Sequence, residues 1–171
     1  MPVNSDIEYA TLAELHLDPL NPRLGRGNTG PNVTQERIME LMQEWRLDEL
    51  ATSFVESGYW PQEALLVVEE NLYGESALVV VEGNRRLAAL KYLKAAVDGQ
   101  PISRKWADIA QLKMPPYLFQ RIPFIRVDSR RDIEAFLGFR HVTGIEEWKP
   151  AEKAQYIARL IDERKMSYDE V

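Results

Sequence analysis

The sequence predicts an α+β fold, a small mixed sheet surrounded by helices and followed by a helical segment from about Ser129 onward. Three observations carry this. ALLVVEE (64–70) and ALVVVEG (77–83) are β-branched runs joined by a turn containing Asn71 and Gly74, the pattern of a β-hairpin. Asn84 to about Val97 then offers Leu87, Ala88, Ala89, Leu90, Leu93 and Ala96 for burial as one helix, closed by Asp98-Gly99. Hydrophobic residues make up 45% of the chain, which supports a packed core and argues against disorder.

Residues 8–17 (EYATLAELHL) suit a short strand or helix. The next stretch, through Pro19, Pro22 and Gly25, breaks any regular element, and RGNTGPN (26–32) reads as a loop. Thr34 is placed to cap a helix with Ile38, Leu41, Met42 and Trp45 on one face. The phase then breaks near Arg46-Leu47-Asp48. A second stripe, Leu47, Leu50, Ala51 and Phe54, runs to a stop at Gly58. Residues 100–121 read as less regular. Ile122 to Val127 is a third strand, with Pro123 at a sheet edge or at the strand start. Ser129 and Asp132 have the spacing of a capping box for a helix through about Phe139. Pro150 suits the first turn of a final helix carrying Ala154, Ile157, Ala158 and Ile161. Ser167, with Glu170 three residues on, looks like one more helix start. The expectation is therefore a domain at 1–128, then a helical segment at 129–171 leading into a truncated further helical region.

Composition narrows the chemistry. The chain has no cysteine, so disulfides, thiolate zinc sites and cysteine nucleophiles are excluded. His16 and His141 lie far apart in sequence, and no metal site is expected from them. No apolar run reaches the ~20 residues of a membrane span, and the N-terminus lacks a secretory pattern. The expected location is cytoplasmic, with no membrane partner. The net charge of −6 disfavours binding to a polyanion except through a local basic patch.

The informative segment is the succession strand, Glu82-Gly83-Asn84-Arg85-Arg86, helix. Glycine permits a tight turn and close approach to the backbone. The first turn of a helix leaves N–H groups unpaired and carries partial positive charge. Two arginines placed there oppose the dipole, and an anion would answer both. The competing structural reading pairs the arginines with carboxylates such as Glu69, Glu70 or Glu82.

VVVEGNRRLAALKYL resembles the central box of the ParB N-terminal family in a G-N-R-R variant, within the ParB/sulfiredoxin superfamily. LDPLNPRL (17–24) resembles its first box, and LATSFVESGYWPQEALLVV the segment between them. Trp148, Pro150, Glu152 and Ala154 match the second half of its fourth box. The closing DERKMSYDEV resembles the first helix of the helix-turn-helix domain that follows in the family, so that the segment 129–171 would lead into a truncated helix-turn-helix-like region, and the resemblance runs over about Leu15 to Val171. It implies that Gly83, Asn84, Arg85 and Arg86 hold phosphates, that Asn21 and Arg23 approach the same pocket, and that Gly58 and Tyr59 line its base or ribose side. It implies a nucleoside triphosphate ligand, CTP or ATP, with Mg²⁺ as companion, in a slow NTPase switch of a DNA-associated or phage-defence protein. DNA would be reached through the full-length protein, and a homodimer would form with nucleotide.

One departure matters. The family's Glu-Asn pair falls near Arg140-His141 here, which removes a hard oxygen ligand for Mg²⁺ and supplies a cation and an acid/base candidate. The catalytic candidates are Glu82 and His141. Sulfiredoxin chemistry is excluded because it needs a cysteine in the phosphate loop. Two alternatives stay open: a metal-dependent DNA nuclease using Glu82, Glu146, Glu147 or Glu152, and a non-catalytic DNA-binding or dimerisation module.

Overall fold

The computed structural model describes residues 6–134. Their strands are β1 (Ile7–Ala10), β2 (Leu15–Leu17), β3 (Leu65–Leu72), β4 (Glu75–Glu82) and β5 (Ile122–Val127). Their α-helices are α1 (Gln35–Leu41), α2 (Leu47–Ser57), α3 (Asn84–Val97) and α4 (Arg104–Ala110). The strands form one mixed sheet in the order β1-β5-β3-β4-β2. The α+β class expected from the sequence is what the chain adopts. The expected helices at Pro150 and Ser167, and most of the one opening at Ser129, lie outside the described residues.

The hairpin forms where the β-branched runs predict it. β3 pairs antiparallel with β4, from Leu72↔Glu75 at the turn back to Leu66↔Glu82. Tyr73 (φ 53°) and Gly74 (φ 93°) both take left-handed geometry, as a two-residue hairpin turn with the twist of its strands requires. β2 joins the far side of β4 in parallel, Leu15↔Leu78 to Leu17↔Val80. Its outer edge is closed by a side chain. Gln35 Oε1 accepts from the Leu17 N–H at 2.7 Å, and Gln35 Nε2 donates to the Leu17 carbonyl at 2.9 Å. One amide thus reproduces both hydrogen bonds of a neighbouring strand.

β5 corrects one of the two alternatives for Pro123. The strand is interior, antiparallel to β1 and parallel to β3. Pro123 is tolerated because pairing with β3 begins only at Leu65↔Phe124, so no ladder bond is missed on that side. It stands at the strand start, and not at a sheet edge. The run 100–121 also holds more order than expected, since α4 forms within it. Seven residues give too few turns for a periodic stripe, and among them only Ile109 is buried.

The core lies on the sheet face that meets the helices. Leu15, Leu17, Leu65, Val67, Val80 and Phe124 pack with Ile38 and Met42 near α1, Ala51 and Phe54 of α2, and Leu87, Leu90 and Leu93 of α3. α3 is buried along a broad front, with Ala88 and Ala89 fully enclosed. Such small side chains let a helix approach its neighbours closely, and α3 is thereby held rigidly with its N-terminus at the end of β4. Thr34 caps α1 as expected, its hydroxyl accepting from the Arg37 N–H at 3.2 Å. α2 ends at Gly58, whose φ of 73° suits a glycine C-cap. Lys105 of α4 reaches Asp48 of α2 at 2.5 Å, and this bond holds the Asp48 carboxyl below its ordinary range.

Candidate functional site

The turn between β4 and α3 is built around Gly83, with φ 101° and ψ 17°. A side chain is excluded here twice over. A residue with a Cβ resists this conformation, and that atom would collide with Leu65 Cδ2 and stand 3.0 Å from Arg86 Nη2. Among the described residues, no side chain caps the first turn of α3, although the helix is 14 residues long. Its leading N–H groups are the ones a helix cannot satisfy internally.

Asn84 opens the helix and is buried, which is rare for a polar residue beside a turn. Both ends of its amide are engaged. Oδ1 accepts from the Asp18 N–H at 2.9 Å, and Nδ2 donates to the Val80 carbonyl at 2.7 Å. The side chain therefore fixes the turn to the end of β4 and to the segment following β2. Asp18, equally buried, receives two hydrogen bonds from Arg130, Nη1 to Oδ2 at 2.9 Å and Nη2 to Oδ1 at 2.7 Å. Arg130 also donates to Glu70. Burial pulls the Arg130 guanidinium toward losing its proton, but the two carboxylates outweigh burial and leave its pKa raised. Arg126 is likewise taken up in ion pairs, with Glu8 and Glu69.

The arginines of the turn diverge. Arg85 turns toward the corner between α1 and α2. Its Nε donates to the Trp45 carbonyl at 2.6 Å and its Nη2 to the Arg46 carbonyl at 3.2 Å. These carbonyls lie in the link between α1 and α2, the second of them at the N-cap of α2. The guanidinium of Arg23 lies 4.8 Å from the centre of the Trp45 ring. Asn21 caps the short 3-10 turn Pro22–Leu24 by accepting from the Arg23 N–H at 3.1 Å. Trp45 is thus where the first and central boxes meet.

Arg86 turns the other way. Its side chain is only 15% exposed and donates to the Glu63 carbonyl, with the Glu63 carboxylate at 3.2 Å. Tyr59 donates its hydroxyl to the same carbonyl at 2.8 Å. The Tyr59 ring stacks on Phe54 at 4.9 Å with planes 8° apart. Burial is the main reason that its phenol is pushed up to about 12; Glu63 adds to the shift and Arg86 opposes it.

The structure therefore gathers Asn21 and Arg23 on one flank of the Gly83–Arg86 turn and Gly58 and Tyr59 on the other. Glu82 ends β4 directly before the turn, at the register position of Leu66. Arg140 and His141 lie outside the described residues, as do Glu146, Glu147 and Glu152. Among the described residues, no group of three or more His, Asp or Glu side chains is placed to hold a metal ion. No described helix is long and apolar enough to cross a membrane. Asp18, Glu63 and Arg130 were not singled out in the sequence. Asp18 and Arg130 meet across 112 positions, and Glu63 takes part mainly through its backbone carbonyl. Neither relation leaves a local pattern to read.

No family model matches the chain, and no curated protein matches it. Among solved structures, the chain is similar to the C-terminally truncated chromosome-partitioning protein ParB from Caulobacter crescentus complexed with CTP-gamma-S. The identity is 16% and the TM-score 0.48, over 96% of this chain and 68% of that one.

Proposed function

We propose that this chain is a nucleotide-binding module whose phosphate site is the Gly83–Arg86 turn. The observation that carries the reading is the uncapped start of α3 at a glycine whose left-handed geometry and close neighbours exclude a side chain. Unpaired N–H groups, helix dipole and nearby guanidinium groups act in the same direction, toward a polyanionic ligand. Asn84 and Asp18 hold the backbone in place, so that the N–H groups need no reorganisation when an anion arrives. Arg86 stands beside the turn and Arg23 on its other flank, each anchored by a neighbour.

The described residues offer donors and positive charge, which suits a triphosphate. The resemblance of the four sequence boxes supports the finer reading. That reading is a switch that hydrolyses CTP or ATP slowly, with Glu82 and His141 as acid/base candidates. It belongs to a DNA-associated or phage-defence protein that reaches DNA through its full length and pairs with a second copy when nucleotide is bound.

Calorimetric titration with ATP, CTP, GTP and UTP, with and without Mg²⁺, tests the reading. At least one triphosphate should bind, and Arg86→Ala should weaken it at least tenfold while the circular dichroism spectrum stays unchanged. Equal affinity in a folded Arg86→Ala chain would sink the assignment of the turn.

A further inference from the structure

Resting on the phosphate-site reading above, we infer that the loop Pro115–Arg121 forms a ring-binding subsite beside the turn, with Tyr117 as its selecting residue. Gly58 and Tyr59 face Pro115, Pro116, Tyr117 and Arg121 across an open depression of about 290 Å³. That volume is at the lower limit of ~300 Å³ for small-molecule sites and is enough for one ring system. Because the depression is open, a ring seated in it leaves the phosphates free to extend beyond it.

The way out leads to the turn. Tyr59, in the wall of the depression, and Arg86, beside Gly83, donate to the same Glu63 carbonyl. A ligand with its ring in the depression and its anionic end toward Arg86 therefore spans adjacent groups.

Tyr117 is the residue that the fold leaves unexplained. It is 68% exposed, the most open of the large hydrophobic side chains among the described residues. Its φ of 63° is a left-handed geometry that an aromatic residue rarely adopts. The loop is nonetheless firmly held. The N–H groups of Gln120 and Arg121 both donate to the Tyr117 carbonyl at 3.0 Å, Leu118 is buried, and the Phe119 carbonyl accepts from Leu12 at 2.8 Å. An anchored loop that spends backbone strain on presenting an aromatic ring to solvent suits a stacking partner. The opposite wall is pre-set as well, since Tyr59 is fixed by its stack on Phe54. At the rim, Arg121 is held over the Tyr9 ring at 4.6 Å, which places a second cation within reach of a ligand's polar edge.

Titration of the whole 171-residue chain with nucleoside triphosphates and with inorganic tripolyphosphate tests this. Tripolyphosphate reports the turn alone, and the surplus affinity of a nucleotide reports the ring. Stacking on one aromatic is worth about tenfold in affinity, by the scale of base–aromatic contacts. Tyr117→Gly removes the ring and relieves the backbone, so the variant should fold at least as stably as the parent. It should lose about tenfold for nucleotide and nothing for tripolyphosphate, and Tyr117→Trp should keep the surplus. Unchanged nucleotide affinity in Tyr117→Gly overturns the subsite and leaves the phosphate site standing. Failure of the parent chain to bind nucleotide or tripolyphosphate overturns both. A proline-rich peptide that shifts the amide resonances of 115–121, where a nucleoside does not, would overturn the subsite in favour of a peptide groove.

Discussion

At the scale of single residues, Gly83 resists replacement on two counts. Gly83→Ala combines left-handed backbone with a Cβ against Leu65, and should cost about 1–3 kcal/mol or more, read from urea unfolding. Tyr59 gives a prediction in pH. Its folded pKa is raised to about 12 from the ordinary 10 of a tyrosine, so the neutral phenol is the form that the fold favours. Below pH 10 that contribution to stability is complete, and it is lost as pH rises through 12, because the unfolded chain releases this proton first. Ultraviolet titration of the native chain should therefore show a late tyrosinate phase near pH 12 that is missing in Tyr59→Phe. The glycine was legible in the sequence because a strand ran into it and a helix ran out. The partners of Arg85 and Arg86 were not, since they are mainly backbone carbonyls of Trp45, Arg46 and Glu63, and any residue supplies a carbonyl.

At the scale of elements, the hairpin and α3 were legible to within a residue or two, because long regular runs announce themselves. α4 is a single short stretch with little burial. The position of β5 inside the sheet depended on which strands chose it as a partner, which its own six residues do not encode. What binds elements together is polar and can be broken singly. Arg130→Ala leaves the carboxylate of Asp18, 3% exposed, without its bidentate partner. The loss should be about 3 kcal/mol in chemical denaturation, toward the lower end for a broken buried pair because Arg130 is partly exposed. The same change should speed hydrogen exchange at the Asn84–Leu87 amides, since Asp18 holds Asn84. Gln35→Ala removes both bonds to Leu17 and should cost about 1–3 kcal/mol. It also uncovers the edge of β2, so light scattering should rise with concentration in this variant and stay flat in the parent.

At the scale of the whole molecule, net charge opposes contact with nucleic acid. The described cations are largely engaged: Arg126 and Arg130 by carboxylates, Arg85 and Arg86 by carbonyls. A mobility-shift assay with duplex DNA at physiological salt should leave the 171-residue chain unshifted, and a shifted band would revive the alternative of a DNA-binding module. The α+β class was legible because it needs only a count of strands and helices. The meeting of Asp18, Asn84 and Arg130 was not, because it is a property of the closed chain.

The order of the strands also bears on how the chain is made. β1 is the first of the described strands to be synthesised, yet its partner β5 is the last of them, and β5 is inserted between β1 and β3. A nascent chain that has emerged only as far as Val97 holds the hairpin, β2 and α3, with β1 unpartnered and the sheet open along β3. Synthesis thus carries the chain through an incomplete sheet until Val127 emerges, which exposes it to mispairing during translation. Arrested nascent chains ending before Ile122 should be cleaved readily by protease, and those in which Val127 has cleared the exit tunnel should become resistant together, from β1 through to the Gly83 turn.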